Sequence, residues 1–223
     1  RDYSTVLGFN NKSVLKEMEN LAREKAYDRL KDIITIDDRD DFFVADEVIE
    51  QIVEMDKREA PLDIAIGKGA HISPHVKLAK GVEIKSRAVL EGNVALAEKV
   101  IIHENVLLST YPSQHIKIGR YSQIFQGDII KGNVTLGERC QIESSVNITG
   151  SDEFPVIIGN NVLVKGTSYI FGSIIESGIW VEHSVLKNKY VERTVRKDGA
   201  VQPVRYVLPL PEGSRHFVNI ILI

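Results

Sequence analysis

From Ile66 onward an aliphatic residue returns every six positions: Ile66, Ile72, Leu78, Ile84, Leu90, Leu96, Ile102 and Leu108. A second track stands two positions before it, in Ala70, Val76, Val82, Ala88, Val94, Val100 and Val106. Each repeat therefore reads small inward residue, outward residue, large inward residue. Such a triplet is a very short strand of period two, and the other three residues must turn a corner. The period resumes after a ten-residue step as Ile118, Ile124, Ile130, Leu136, Ile142 and Ile148, and after a second such step as Ile158, Val164, Ile170, Ile175, Val181 and Leu186. Three faces close one coil, so about 20 repeats predict six to seven stacked coils, a mainly β prism about 30 Å long. A hexapeptide array of this kind belongs to the parallel β-helix class. Corners need permissive backbones, and Gly69, Gly81, Asn93, Asn105, Gly127, Asn133 and Asn161 are expected to supply positive φ there.

Ahead of the array the period changes to that of a helix. Val14, Met18, Leu21, Ala22, Ala26 and Leu30 predict an amphipathic helix over 13–30 with Ser13 as its N-cap, and Val48, Ile49, Ile52, Val53 and Met55 predict a second over 46–57, before Pro61. The chain thus divides into an N-terminal helical segment or connector, 1–62, a β-helix, 63–190, and a C-terminal tail, 191–223, that packs on the helix or on a partner. Asp37, Asp38, Asp40 and Asp41 crowd adjacent positions and lack the spacing of a calcium loop, so they read as a solvated acidic turn. Arg1 in place of an initiator methionine fits a chain that begins partway into a longer protein, and equally a removed start.

With 43% hydrophobic residues over 223 positions the chain can bury a substantial core. The one cysteine, Cys140, falls on an inward position, which argues for a core residue and a reducing compartment. No charged leader and no apolar run of spanning length is visible, so a cytoplasmic protein without membrane association is expected. Residues 1–62 carry 16 acids and 10 bases, the remainder 15 acids and 18 bases. The basic excess is scattered, without an aromatic-interleaved stripe. It argues against nucleic acid and suits an anionic small molecule.

The two ten-residue steps are six repeats apart, an integral two coils, so both extra loops are expected to leave one corner and form one cleft. Loop one includes Tyr111 and His115; loop two includes Asp152 and Glu153. Polar loops on a rigid scaffold are where binding residues gather. His115 is the best-placed candidate for a general base, a nitrogen of near-neutral pKa at an accessible cleft. Lys117 and Arg120 are candidates for a phosphate. His103 and His183 share a different corner four coils apart and cannot act together within one subunit; His71 and His75 lie near the base, His216 in the tail.

The array resembles the left-handed parallel β-helix of hexapeptide-repeat proteins. In the acyltransferases of that superfamily such loops face a neighbouring subunit and a histidine activates the acceptor, which implies a homotrimer, His115 as catalytic base, and acetyl-CoA or another acyl-CoA as donor. The zinc variant, the γ-type carbonic anhydrases, needs histidines with a spacing not found here, so no metal is expected. Residues 155–170, PVIIGNNVLVKGTSYI, resemble the segment after the loop in sugar and amino-acid N-acetyltransferases. Residues 171–186, FGSIIESGIWVEHSVL, have five-residue repeats, and with serine recurring at Ser168, Ser173 and Ser184 they look more like the C-terminal β-helix of sugar-1-phosphate nucleotidylyltransferases. The helical connector is similar to that of bifunctional N-acetylglucosamine-1-phosphate uridylyltransferase/acetyltransferases, whose glycine-rich nucleotide signature is absent from these residues. Two functions follow. One is acyl transfer to an amine or hydroxyl of a sugar phosphate; the other is a non-catalytic oligomerisation or regulatory scaffold for an upstream nucleotidylyltransferase domain. In either case the apolar outward residues Ile157, Leu163, Tyr169, Ile174, Trp180 and Val185 predict upper coils covered by other protein.

Overall fold

A computed structural model describes residues 12–197, 200–203 and 206–207. The hexad array winds as a left-handed parallel β-helix with three flat faces. The first face stacks nine short strands from Thr35–Ile36 to Tyr206–Val207, the second eight from Phe43–Val44 to Val185–Lys187, and the third seven from Lys77–Leu78 to Tyr190–Val191. Every pairing between coils is parallel and in register, as between Leu107, Leu108 and Ile129, Ile130. Both inward tracks are buried: Ile66, Ile72, Ile84, Leu90, Ile102 and Leu108 on one, Ala70, Val82, Ala88 and Val100 on the other. Cys140 lies among them, and burial pushes its thiol pKa up, as suits an unreactive core residue.

The helices are α1, Lys12–Leu30, and α2, Asp46–Glu59. Helix α1 starts one residue before Ser13, so that serine lies inside the first turn and not at the N-cap. Strand pairing begins earlier than the array does. Thr35–Ile36 pairs with Ala65–Ile66 and Phe43–Val44 with His71–Ile72, adding two sides of a coil below the hexads. Helix α2 takes the place of the third side. It buries Val48, Ile49, Ile52 and Met55 and packs against Lys77–Leu78. At the other end Tyr190–Val191 completes the seventh coil, an antiparallel hairpin pairs Thr194–Lys197 with Ala200–Pro203, and Tyr206–Val207 returns to the first face.

The corners depart from the glycine and asparagine expectation in an instructive way. Gly69, Gly81, Asn105, Gly127 and Asn161 do take positive φ, but so do His75, Arg87, Lys99, Tyr121 and Arg139. A left-handed conformation costs such residues about 1–2 kcal/mol each. The stack imposes it, because a corner of any other shape would break register with the coils on both sides. Asn93 and Asn133 are displaced by one residue: positive φ falls on Gly92 and Gly132 instead. The serines at small-track positions are corner fasteners. Ser168 Oγ donates to Lys165 O and accepts from Ser184 N, and Ser173 Oγ donates to Phe171 O and accepts from Lys189 N.

Candidate functional site

Both loops leave the corner between the second and third faces. Loop one joins Leu107–Ser109 to Ile116–Ile118, and loop two joins Asn147–Gly150 to Val156–Ile158. Their strands are separated on the second face by the single strand Ile129–Gly132, so the loops stand two coils apart, about 10 Å. They touch: Ser113 Oγ donates to Asp152 Oδ2 at 3.4 Å.

Each loop is seated on a Gly-Asn corner one coil below it. Asn93 Nδ2 donates to Pro112 O at 2.8 Å and Gln114 O at 3.0 Å, while its backbone N–H donates to Thr110 Oγ1. Asn133 Oδ1 accepts from His115 N at 3.0 Å, and its Nδ2 donates to Asp152 Oδ1 at 2.9 Å. Asn133 therefore joins loop one below to loop two above. The corner leaves no room for side chains at Gly132 and Gly150. A Cβ on Gly132 would overlap the Gly150 carbonyl oxygen, and one on Gly150 the Asn133 carbonyl oxygen.

Between the loops, on the second-face side of the corner, lies a cleft of ≈ 400 Å³ lined by Ser109, Thr110, Tyr111, Gln114, Lys131, Thr149 and Ser151 with Gly132 and Gly150. Its chemistry is a set of hydroxyls, one amide and one ammonium group. The Gln114 side chain is largely buried, and its Oε1 accepts from Tyr111 N at 3.4 Å. Tyr111 is 75% exposed and stands at the mouth. A larger groove of ≈ 590 Å³ lies between α1 and the base of the prism, but Ala22, Ala26, Phe42, Phe43 and Val44 make its walls mostly apolar.

The sequence-derived residues divide across this corner. Tyr111 lines the cleft. His115 is exposed at the end of loop one, beside the cleft but outside its lining, and Lys117 follows on the outer surface of the third face, paired with Ala95 and Thr135. Asp152 is engaged by Asn133 and Ser113, and Glu153 is exposed at the tip of loop two. Arg120 stands at the next corner and is ion-paired with Glu138 at 3.0 Å, away from the cleft. His103 stacks on Phe125 with ring centroids 4.5 Å apart, and His183 Nδ1 shares a hydrogen bond with Thr167 Oγ1. Among the described residues no group of three or more His, Cys, Asp or Glu could hold a metal ion. No described helix is long and apolar enough to cross a membrane.

Lys131 escaped the sequence reading, which also placed Asn93 and Asn133 at corners without seeing that their side chains brace the loops. The signal for the brackets was present, since Gly-Asn occurs at 92–93 and 132–133, one coil below each loop. Immediately before the strand that carries Lys131, in the same coil, sits an inward carboxyl. Asp128 is fully buried, and desolvation pushes its pKa up to about 8 despite the N–H groups of Val146, Phe125 and Ser145 that pull it down. Its Oδ1 accepts from Val146 N at 2.8 Å, and its Oδ2 has no hydrogen-bond partner.

No protein-family model and no curated protein matches the chain. Among solved structures it is similar to LpxA from Acinetobacter baumannii, at 16% identity and a TM-score of 0.48, covering 73% of this chain and 69% of that one. It is also similar to UDP-N-acetylglucosamine O-acyltransferase (LpxA) from Moraxella catarrhalis, at 15% identity and a TM-score of 0.36, covering 72% of this chain and 65% of that one. Similarity at this level assigns neither an activity nor a residue role to this chain.

Proposed function

We propose that the chain is a β-helix acyltransfer enzyme of the cytoplasm whose acceptor, a sugar phosphate or a related amine or alcohol, binds in the cleft between the loops. The observation that carries this reading is the cleft itself, in which hydroxyl and amide groups suited to a polyol surround one ammonium group suited to a phosphate. Lys131 takes the phosphate role inside the cleft, with Lys117 on the outer side of the same corner. Tyr111 covers the acceptor, Asp152 keeps loop two in place, and Glu153 lies within reach of a projecting amine or hydroxyl.

His115 acts as the base. An imidazole nitrogen takes the proton of the acceptor hydroxyl or amine as that atom attacks the thioester carbonyl of acetyl-CoA or another acyl-CoA. Collapse of the tetrahedral adduct expels the thiolate, which recovers the proton from the imidazolium, leaving acylated acceptor and free thiol. A closed cyclic homotrimer, formed through the apolar upper parts of the first and third faces, completes the assembly.

Isothermal titration with acetyl-CoA and with glucosamine 1-phosphate, run on the unaltered chain and on Lys131→Ala, tests the reading. Binding of both ligands, with the sugar phosphate weakened at least tenfold by the substitution, is expected. Absence of heat for either ligand rejects it. A second reading, a non-catalytic scaffold for a nucleotidylyltransferase domain, is favoured by one observation: the outward positions of the top coils are apolar on all three faces. Stable trimers with neither ligand binding nor acyl transfer would select it.

A further inference from the structure

The groove between α1 and the lowest coil encloses ≈ 590 Å³, within the range of about 300–1,000 Å³ usual for small-molecule sites. Ala22 and Ala26, one helical turn apart, form its wall on α1, and their short side chains leave the space unfilled. The opposite wall carries an unfinished aromatic stack. The rings of Phe43 and His71 lie 4.5 Å apart at an interplanar angle of 14°. Phe43–Val44 is the lowest strand of the second face, so no strand of that ladder lies beyond it. Phe43 is 47% exposed and pairs with no other ring among the described residues. A flat ring in the groove would continue the stack by one layer, and such a contact contributes beyond the apolar area that it buries.

The charge around the groove selects the occupant. Its lining carries three carboxylates, Glu19, Asp46 and Glu47, all exposed and without an ion-pair partner among the described residues. Against them stands one guanidinium, and it is already engaged: Arg23 Nε donates to Phe42 O at 3.3 Å and Nη1 to Asn20 Oδ1 at 3.1 Å. The N-terminus of α2 also opens here, but Asp46 and Glu47 occupy its first turn and take up the field that would favour an anion. A cation is drawn to this rim, and over the face of Phe43 it gains further from the ring quadrupole.

We propose that the groove is a second binding site, for a small molecule that joins a flat aromatic ring to an ammonium group, the ring stacked on Phe43 and the ammonium among the carboxylates of the rim. The site lies four ladder steps, about 19 Å, below the strand that carries Lys131. It is therefore independent of the acyl-transfer reading.

Isothermal titration of the full chain with tryptamine and with indole-3-acetate, one ring system carrying opposite charges, tests the site. Tryptamine is expected to bind saturably, and indole-3-acetate at least about tenfold more weakly. Phe43→Leu keeps an apolar side chain on the strand and removes the ring, while Ala22→Trp fills the groove from an exposed helix position. Each should weaken tryptamine at least about tenfold, and Glu47→Gln should weaken it several-fold without weakening indole-3-acetate. No saturable heat with tryptamine means that protein already fills the groove, as a second copy of the chain or another of its segments, and overturns the proposal. Equal affinity for the two indoles overturns it too, as does tryptamine binding that survives both Phe43→Leu and Ala22→Trp. Loss of tryptamine binding in Tyr111→Ala, with Phe43→Leu unaffected, assigns the ring to the cleft between the loops and rejects the groove.

Discussion

The lower and middle coils and the upper coils share one inward code and differ in how polar their outward positions are. Below, the outward positions mix polar residues such as Lys77, Glu83, Lys117, Gln123 and Gln141 with apolar ones such as Val89, Ile101, Leu107 and Ile129; above, Ile157, Leu163, Tyr169, Ile174, Trp180 and Val185 are all apolar or aromatic. The inward residues are buried alike in both, as Ile124 and Ile142 are below and Ile170 and Ile175 above. The repeats also shorten upward, from six residues to five at Ile170 to Ile175 and Val181 to Leu186, with serines fastening the tighter corners. The hexad rule thus specifies the path of the chain and leaves the outward residue free. One region has spent that freedom on solubility and a polar cleft, the other on an apolar collar.

The largest expected effect tests whether the two regions form one cooperative body. Ile124→Ala and Ile175→Ala each delete a fully buried aliphatic group and should each cost about 2–5 kcal/mol in denaturant unfolding. A much smaller loss for Ile175→Ala would mean that the upper coils unfold separately, which two transitions in the same titration would reveal. Next comes the loop-bearing corner. Gly132→Ala meets both a positive φ and the Gly150 carbonyl, so a loss of about 3 kcal/mol is expected from the shift in melting midpoint.

Asp128 sharpens the comparison by pH. The small-track polar residues of the upper coils, Ser168, Ser173 and Ser184, do not titrate, whereas Asp128 in the middle does. Its folded pKa is raised from an ordinary 3.8 to about 8, so between these values the folded chain holds a proton that the unfolded chain releases. Its contribution to stability is therefore fully present below about pH 4, declines as pH rises, and is gone above about pH 8. Asp128→Asn should remove that slope and raise stability at pH 8 by on the order of 2 kcal/mol, measured by urea unfolding from pH 5 to 8.5.

Smaller effects separate the braces from the chemistry. Asn133→Ala removes the side chain that joins the two loops; a stability loss of about 1 kcal/mol is expected, with a larger proportional loss of cleft-ligand affinity by titration. His115→Ala should change stability by less than about 0.5 kcal/mol because the side chain is exposed. Acyl transfer should disappear in the same variant, and unaltered turnover would remove His115 from the reaction.

The path of the fold was legible because the two inward tracks repeat without exception over the first seven repeats, and the shared corner of the loops followed from counting whole coils. What stayed hidden has physical causes. Tyr121 and Arg139 take left-handed corners that no propensity would assign to them, since stacking overrides local preference. Thr35–Ile36 and Phe43–Val44 enter the ladder from outside the hexad period, and two-residue strands carry too little pattern to be seen. The cleft was half legible: the loops announce themselves by extra residues, whereas Lys131 belongs to a regular strand and acquires its place in the cleft only from the loops above and below.

The substitution of helix α2 for the third side of the lowest coil makes the stack directional. A parallel ladder has two ends, and each bare end is a template on which another chain could add strands to build a filament. At the lower end α2 closes one side outright, and the other two present strands of only two residues each, Thr35–Ile36 and Phe43–Val44. On the side that α2 covers, the lower surface therefore offers no described strand edge to a second chain, which narrows the template to two short strands. Among the described residues the two ends of the stack are thus unequal as templates for a further chain.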